Sequence, residues 1–437
     1  MRILHISDVH IGIETYGHPA TDADLAALPA HFAPGDDRAR YRGSSTRLLD
    51  FLAALDEAIA LAQEQNVDLV LFTGDAYKSR EPSQTHQREF ASRVARLAAA
   101  GIPVFLLVGN HDLPHASYKA SAVEIFDTLS VRNVTIAERL ETYRVETRAG
   151  PLQIVALPWI RRSGILTRDD VRNLPYARIK ELLEDRLTKR LQYEGEQLDP
   201  TIPAILAAHC SVSTAKLGTE RTMMIGEDHV LLKSSLTALP VDYIALGHIH
   251  HRQQLNDSPP MLYPGSLQRI DFGEEDHEEK GVYIIELDAA RPAGKRVSEP
   301  AFHPMRARAF VTVEAVVRES EDPTAKTLAA IDRAPVTGAI VRVQVQLPES
   351  LEPAFREREV RAALEARGVH HIAAITRQVE RARRVRLGAV ETTGKPPRDL
   401  LAMYLGTLPI PDARRRELLE YAGRLMAPAD DPGAGQP

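Results

Sequence analysis

Five clusters of cation-ligating residues punctuate the first 250 residues: Asp8-x-His10, Gly74-Asp75, Gly109-Asn110-His111-Asp112, His209 and Gly247-His248-x-His250. Each follows a short apolar run (2–6, 68–73, 103–108, 205–208 and 243–246) that reads as a buried strand. All five are therefore expected at the carboxyl edge of a sheet, where α/β enzymes keep their chemistry, and a glycine such as Gly109 lets the backbone turn sharply there. Any one cluster could arise by chance. Five in succession offer carboxylate, imidazole and amide oxygen, the ligands of a hard divalent cation. Hydrolysing a phosphodiester needs a nucleophile at neutral pH and a way to spread charge on phosphorus, and two ions about 3.5–4 Å apart supply both.

Asp8 and His10 stand two apart on an extended segment, so both project from one face and can hold one ion, and His248 and His250 repeat that spacing. Asp75, a carboxylate at a strand end, suits a bridging position. Asn110 offers a neutral oxygen and His209 completes the shell of the second ion. His111 is left over, and its unperturbed pKa near neutrality suits a general acid for the departing oxygen. Asp112 could orient that ring. His115, His251 and His277 lie near the motifs and read as surface residues without a role.

The remaining composition narrows the class. A net charge of −6 over 437 residues argues against a generally basic nucleic-acid binder, so any DNA contact must come from local basic surface, metal ions or a partner. The single cysteine, Cys210, excludes internal disulfides and Cys-rich zinc sites, and at the end of an apolar strand it reads as a core residue. No long apolar h-region opens the sequence and no transmembrane-length run follows, which makes a cytoplasmic protein without membrane contact the expectation.

The elements that must position these residues follow from periodicity. Segment 11–45, rich in Gly, Pro, Asp and Ala, reads as a long loop over the site. Leu48, Leu52, Leu55, Ile59 and Ala62 recur at helical spacing before strand 68–73, and helices over about 83–100 and 117–129 flank the strand that ends in Gly109. Alternation at 143–145 and 152–157 predicts a hairpin and so a mixed sheet, and 175–194 reads as a charged surface helix. Strands over 261–266 and 281–287 close a first domain at residue 297. From 298 to 380 the order strand, helix, strand, helix, strand describes a small α+β module. A basic linker (381–397) leads to a helix pair (398–426) and to a Pro/Gly/Asp tail (427–437) expected to be disordered. Segment 388–396 resembles a Walker A loop only superficially, with one residue too many between its glycines and Pro396 where Ser or Thr belongs, so no ATP site is expected.

Taken in order, the five motifs resemble those of the calcineurin-like metallophosphoesterases, which implies an α/β fold, a four-layer αββα sandwich of mixed sheets. Within that superfamily Tyr-Pro-Gly-Ser-Leu-Gln-Arg-Ile-Asp-Phe-Gly at 263–273 and Lys280-Gly281 are similar to the DNA-repair exonucleases of the SbcD type, bacterial relatives of the meiotic-recombination nuclease. The likeness runs through most of residues 1–426. It implies that Asp8, His10, Asp75 and His250 hold one ion, that Asp75, Asn110, His209 and His248 hold the other, and that His111 is catalytic. It further implies Mn²⁺ as the metal, a capping module that admits DNA, and a homodimer joined through an apolar patch on an early helix. The helix pair would dock on an SbcC-type ABC ATPase, with Leu400, Leu401, Tyr404, Leu418 and Leu425 as anchors. Two departures are Lys78, where relatives often carry Asp or His, and the longer 11–45 insertion.

The expected activity is DNA exonuclease and endonuclease cleavage in double-strand break repair: in-line attack on phosphorus by hydroxide held between two ions, with His111 protonating the leaving 3′-oxygen. The rivals are a phosphatase or cyclic-nucleotide phosphodiesterase on the same centre, and a non-catalytic DNA-end scaffold.

Overall fold

The computed structural model describes residues 1–35, 37–114, 116, 119–161, 164–167, 170, 172, 174–216, 230–275, 279–380, 395–406, 408 and 410–425. Its first strands, β1 (Arg2–Ile6), β2 (Leu69–Phe72), β3 (Val104–Leu107) and β4 (Val134–Ala137), run parallel side by side. Past the exposed Arg2, β1, β2 and β3 are buried on both faces, which is why they read as continuous apolar runs rather than alternating ones, while β4 is half-buried. Along β1 the pleat still sorts its residues. Leu4 and Ile6 pack on the helices Thr46–Glu64 and Gln84–Ala99, while Ile3 faces the second sheet.

That second sheet begins with the hairpin β5 (Glu141–Thr147) and β6 (Gly150–Leu157), where the alternation predicts it, and continues through β7 (Ala204–His209). A short ribbon, β8 (Ser211–Val212) with β9 (Val230–Leu231), intervenes before β10 (Tyr243–Gly247) pairs in parallel with β7. Strands β11 (Gln253–Asp257) and β12 (Pro260–Tyr263) complete its far edge. The chain then returns to the first sheet as β13 (Gly281–Glu286), antiparallel to β1, and β14 (Ala301–Pro304).

Two six-stranded mixed sheets thus pack face to face, ordered β14-β13-β1-β2-β3-β4 and β11-β12-β10-β7-β6-β5. Ile3, Leu71, Phe105, Ile154, Ile205, Ala245 and Leu262 fill the space between them. The helix Tyr176–Glu196 covers the outer face of the second sheet through Leu183, Leu187 and Leu191. The result is the four-layer αββα sandwich that the motifs imply.

Three local expectations need correction. Segment 11–45 carries a helix, Asp22–Ala26, and a 3-10 turn, Arg38–Tyr41, and buries Leu25, Phe32 and Tyr41 against the helix layer. It has no periodicity because it packs through single anchors. The helix expected over 117–129 contracts to Ile125–Thr128, since Ala122 and Val123 lie in a turn whose Ala122 amide bonds to the Asp112 carbonyl. The first sheet also runs on to Pro304, past the boundary at 297, because β14 adds to its edge.

The module beyond has three parallel strands, β15 (Phe310–Val316), β16 (Ile340–Pro348) and β17 (His371–Glu380), each pair joined by a helix, Pro323–Arg333 or Glu357–Ala366. Farther on, the helices Pro397–Gly406 and Asp412–Leu425 pack on one another, burying Leu405 and Ala422. The Walker-like segment up to residue 394, most of the linker, and the tail lie outside the described residues.

Candidate metal centre

The five strand-end loops meet on one side of the sandwich, three from the first sheet (after β1, β2, β3) and two from the second (after β7, β10). The backbone is strained where they meet. Asp8, His10, Asp75 and His248 all take positive φ, at 51°, 50°, 57° and 99°. Such left-handed conformations cost roughly 1–3 kcal/mol for a residue with a side chain and cluster at functional sites. They also correct the expectation of extended Asp-x-His and His-x-His pairs. Asp8 and His10 still share a side, with His10 Nε2 3.8 Å from Asp8 Oδ1, but His248 and His250 diverge. His250 Nε2 faces His10 Nε2 at 2.9 Å, whereas His248 Nδ1 lies 3.1 Å from Asn110 Oδ1.

Asp75 stands between the two groups. Its Oδ2 lies 3.7 Å from His10 Nε2 and its Oδ1 lies 3.5 Å from His209 Nε2. Asn110 Oδ1 lies 3.0 Å from His209 Nε2, and His209 Nδ1 donates to the Thr73 carbonyl at 2.7 Å. The ligating atoms of Asp8, His10 and His250 fall within 4.8 Å of one another, as do those of Asp75, His209 and His248, and those of His10, Asp75 and His111.

Glycines permit this closeness. Gly109 keeps an ordinary φ, so the expected sharp turn is not its reason. A Cβ there would collide with the Asp75 carboxylate, and one on Gly247 with the Thr73 carbonyl.

The charges suit cations. Burial pushes Asp8 up to about 6 against the pull of His209 and His250. Burial would raise Asp75 too, but His209 and His111 hold it well below the usual carboxylate range. Burial drives His10 and His248 well below the ordinary imidazole value, while Asp75 overcomes burial at His209 and lifts it to about 9. The ligating forms, ionised carboxylate and neutral imidazole, are thus favoured at Asp75, His10 and His248. The His209 proton supplies a countercharge that a divalent ion would replace. One further feature fits: His10 and His250 aim ring nitrogens at one point. These residues can hold a pair of cations.

His111 lies beside this group, its ring centroid 5.0 Å from that of His10, and burial lowers its pKa. Its Nδ1 is 2.7 Å from the Lys78 carbonyl, so Lys78 contributes through its backbone. Asp112 does not orient His111. Its carboxylate accepts from the Gly109, Asp75 and Ala76 amides and so ties two strand-end loops together. His251 is half-buried, while His115 and His277 lie outside the described residues. Cys210 is buried in the core.

Sequence reasoning overlooked Glu274 and Trp159. Glu274 lies within an acidic run that looks solvated, yet it is buried, 2.9 Å from His250 Nδ1 and 2.8 Å from Lys280 Nζ. Burial opposes its charge, but Lys280 and His250 hold it at about 2. The Trp159 ring lies tilted against that of His248, at 39° with centroids 5.2 Å apart. It is the chain's single tryptophan and follows a predicted strand, the only signal that could have drawn notice.

Residues 1–252 match the model of the calcineurin-like phosphoesterases, and the chain belongs to that family. Among curated proteins it is 26% identical over 262 residues to the DNA double-strand break repair protein Mre11 of Thermoplasma acidophilum, covering 59% of this chain and 61% of that one. It is 24% identical over 314 residues to the SbcD component of the nuclease SbcCD of Escherichia coli, covering 70% of each. The chain thus spans about three fifths of the archaeal relative. A dimetal phosphatase from Danio rerio aligns over 70% of this chain and 99% of its own at 14% identity, with a TM-score of 0.35. Among the described residues no helix is long and apolar enough to cross a membrane.

Proposed function

We propose that this phosphoesterase is a metal-dependent DNA nuclease that processes DNA ends in double-strand break repair, as an exonuclease and endonuclease. One observation carries the reading: Asp8, His10, Asp75, Asn110, His209, His248 and His250, spread over 243 residues of sequence, lie within one shell beside His111. Asp8, His10, Asp75 and His250 are assigned to one ion, and Asp75, Asn110, His209 and His248 to the other. When bound, such a pair supplies hydroxide at neutral pH and neutralises charge on phosphate, and Mn²⁺ is the ion proposed. Asp75 orients both halves of the shell through its two oxygens. His111, held at Nδ1 by the Lys78 carbonyl, acts as the acid in its doubly protonated form, which gives the Nε2 proton to the leaving 3′-oxygen and keeps the one on Nδ1.

The similarity to a DNA double-strand break repair protein and to a subunit of the nuclease SbcCD supports DNA as the substrate and a second subunit as partner, and the partners proposed are an ABC-type ATPase of the SbcC kind and a second copy of this chain. The proposed partner surface is the terminal helix pair, on which Tyr404 and Leu425 are exposed while Leu400, Leu401 and Leu418 are half-buried. Replacing His111 with Leu is expected to lower cleavage of linear duplex DNA by about 10²–10⁴-fold, the usual worth of a general acid, while two Mn²⁺ ions still bind. Parental cleavage by that variant overturns the role of His111. Faster turnover of bis-p-nitrophenyl phosphate or cyclic nucleotides than of DNA favours a phosphatase or phosphodiesterase instead.

A further inference from the structure

A single turn joins the metal centre to the capping module. The 3-10 turn Phe272–Glu274 is pinned by the Asp271 carboxylate, which accepts from the Gly273 amide at 2.7 Å, and by Arg269 Nε, which donates to the Glu274 carbonyl at 3.1 Å. From the middle of this strip the Glu274 carboxylate reaches inward. It meets His250 Nδ1 at 2.9 Å, Lys280 Nζ at 2.8 Å and Ser266 Oγ at 2.8 Å, and Lys280 also donates to the His250 carbonyl.

The residues on either side reach the other way. The Phe272 ring meets Phe310 of β15 edge-on at 5.0 Å and lies under the Arg342 guanidinium of β16, 4.4 Å from its centroid. The Glu275 carboxylate accepts from the amide and hydroxyl of Thr312 on β15 and pairs with Arg342 Nη2 at 3.4 Å, while Arg342 Nε donates to Thr312 Oγ1 at 2.6 Å. Adjacent residues thus grip a proposed ligand and the module, within a turn too short to bend between them. Any shift of β15 and β16 against the sandwich must move Phe272 and Glu275, and with them the carboxylate that aims the His250 ring.

We propose that this turn makes the seating of the capping module a determinant of how tightly one of the two ion sites closes, with Glu274 as positioning residue and Arg342 as the module's grip on it. The coupling rests on the metal assignment above, and its physical basis is that partners of a ligating histidine orient the ring and commonly change metal affinity about 10–100-fold.

The test is Mn²⁺ binding to the whole chain, followed by electron paramagnetic resonance of the free ion, with melting curves to verify folding. Glu274→Gln is expected to weaken one of two ions about tenfold. Arg342→Ala, which removes no ligand and no partner of one, should weaken that same ion about threefold or more and leave the other within about twofold, a partial share of such an effect. Thr312→Val, close in shape, carries the same expectation should Arg342→Ala not fold. Unchanged binding in the folded module variant overturns the coupling even if Glu274→Gln weakens it, and so does equal weakening of both ions. A parental chain that takes up no Mn²⁺ overturns the metal assignment itself and the coupling with it.

Discussion

His5 shows how deeply the floor of the centre is buried. Its ring lies between the sheets, with Nδ1 2.8 Å from the Tyr243 hydroxyl and Nε2 3.1 Å from Thr73 Oγ1, and the Thr73 carbonyl in turn holds His209. Burial lowers the His5 pKa from 6.5 to about 3. The unfolded chain therefore takes up a proton near pH 6.5 that the folded chain refuses until about pH 3. The contribution is fully present above 6.5 and is lost as the pH falls between those values. Thermal unfolding of the parental chain and of His5→Gln across pH 7 to 4 should show a shallower decline for the variant, and identical slopes would exclude His5 as a source. At this scale the sequence showed which residue types gather at strand ends, because ligand chemistry is written in side-chain identity. It did not show that Asp8, His10, Asp75 and His248 sit in left-handed conformations, since only tertiary packing forces a non-glycine residue there. Asp112 was misread for a related reason: a carboxylate next to an imidazole in sequence is free to turn to backbone amides instead.

Among the elements, the long apolar runs and the helix Thr46–Glu64 were legible because two-face burial and 3.6-residue periodicity leave regular marks. Segment 11–45 left none. It is held by polar anchors on the helices: Asp56 accepts from the Ala33 amide at 2.9 Å and from Arg93 Nη2 at 2.6 Å, and Glu89 accepts from Arg40 at 2.9 Å and from the Tyr41 hydroxyl at 2.7 Å. Asp56, Glu89 and Arg93 are fully buried. Removing one member strands the rest, so Asp56→Ala is expected to cost about 3–5 kcal/mol in urea unfolding. A loss under about 1 kcal/mol, the range of a surface pair, would show that the segment is held by its apolar anchors alone. A scan for apolar periodicity misses such a network, because its helix members are charged and its bonds from segment 11–45 to the helices span 23 to 49 positions.

Across the whole molecule, the order of elements along the chain carried most of the architecture, while the terminal strand β14 escaped notice because a short edge strand of Ala, Phe, His and Pro has little pattern to read. The turn that grips the three-stranded module escaped for the opposite reason: its acidic, charged composition imitates solvent-facing loop.

One consequence concerns durability. The candidate ligands come from loops of both sheets, so a bound pair of cations would rivet the sandwich shut at that rim. A chelated sample should melt at a lower temperature than one given Mn²⁺, by an amount that grows with free ion concentration as ligation to the native form alone requires. In hydrogen exchange, the ends of β1, β2, β7 and β10 should lose protection ahead of the opposite rim. Equal melting with and without the ion would mean that the seam is closed by packing alone. In the first case the proposed catalytic centre is also a fastener, and metal starvation would age the protein whatever it does to activity.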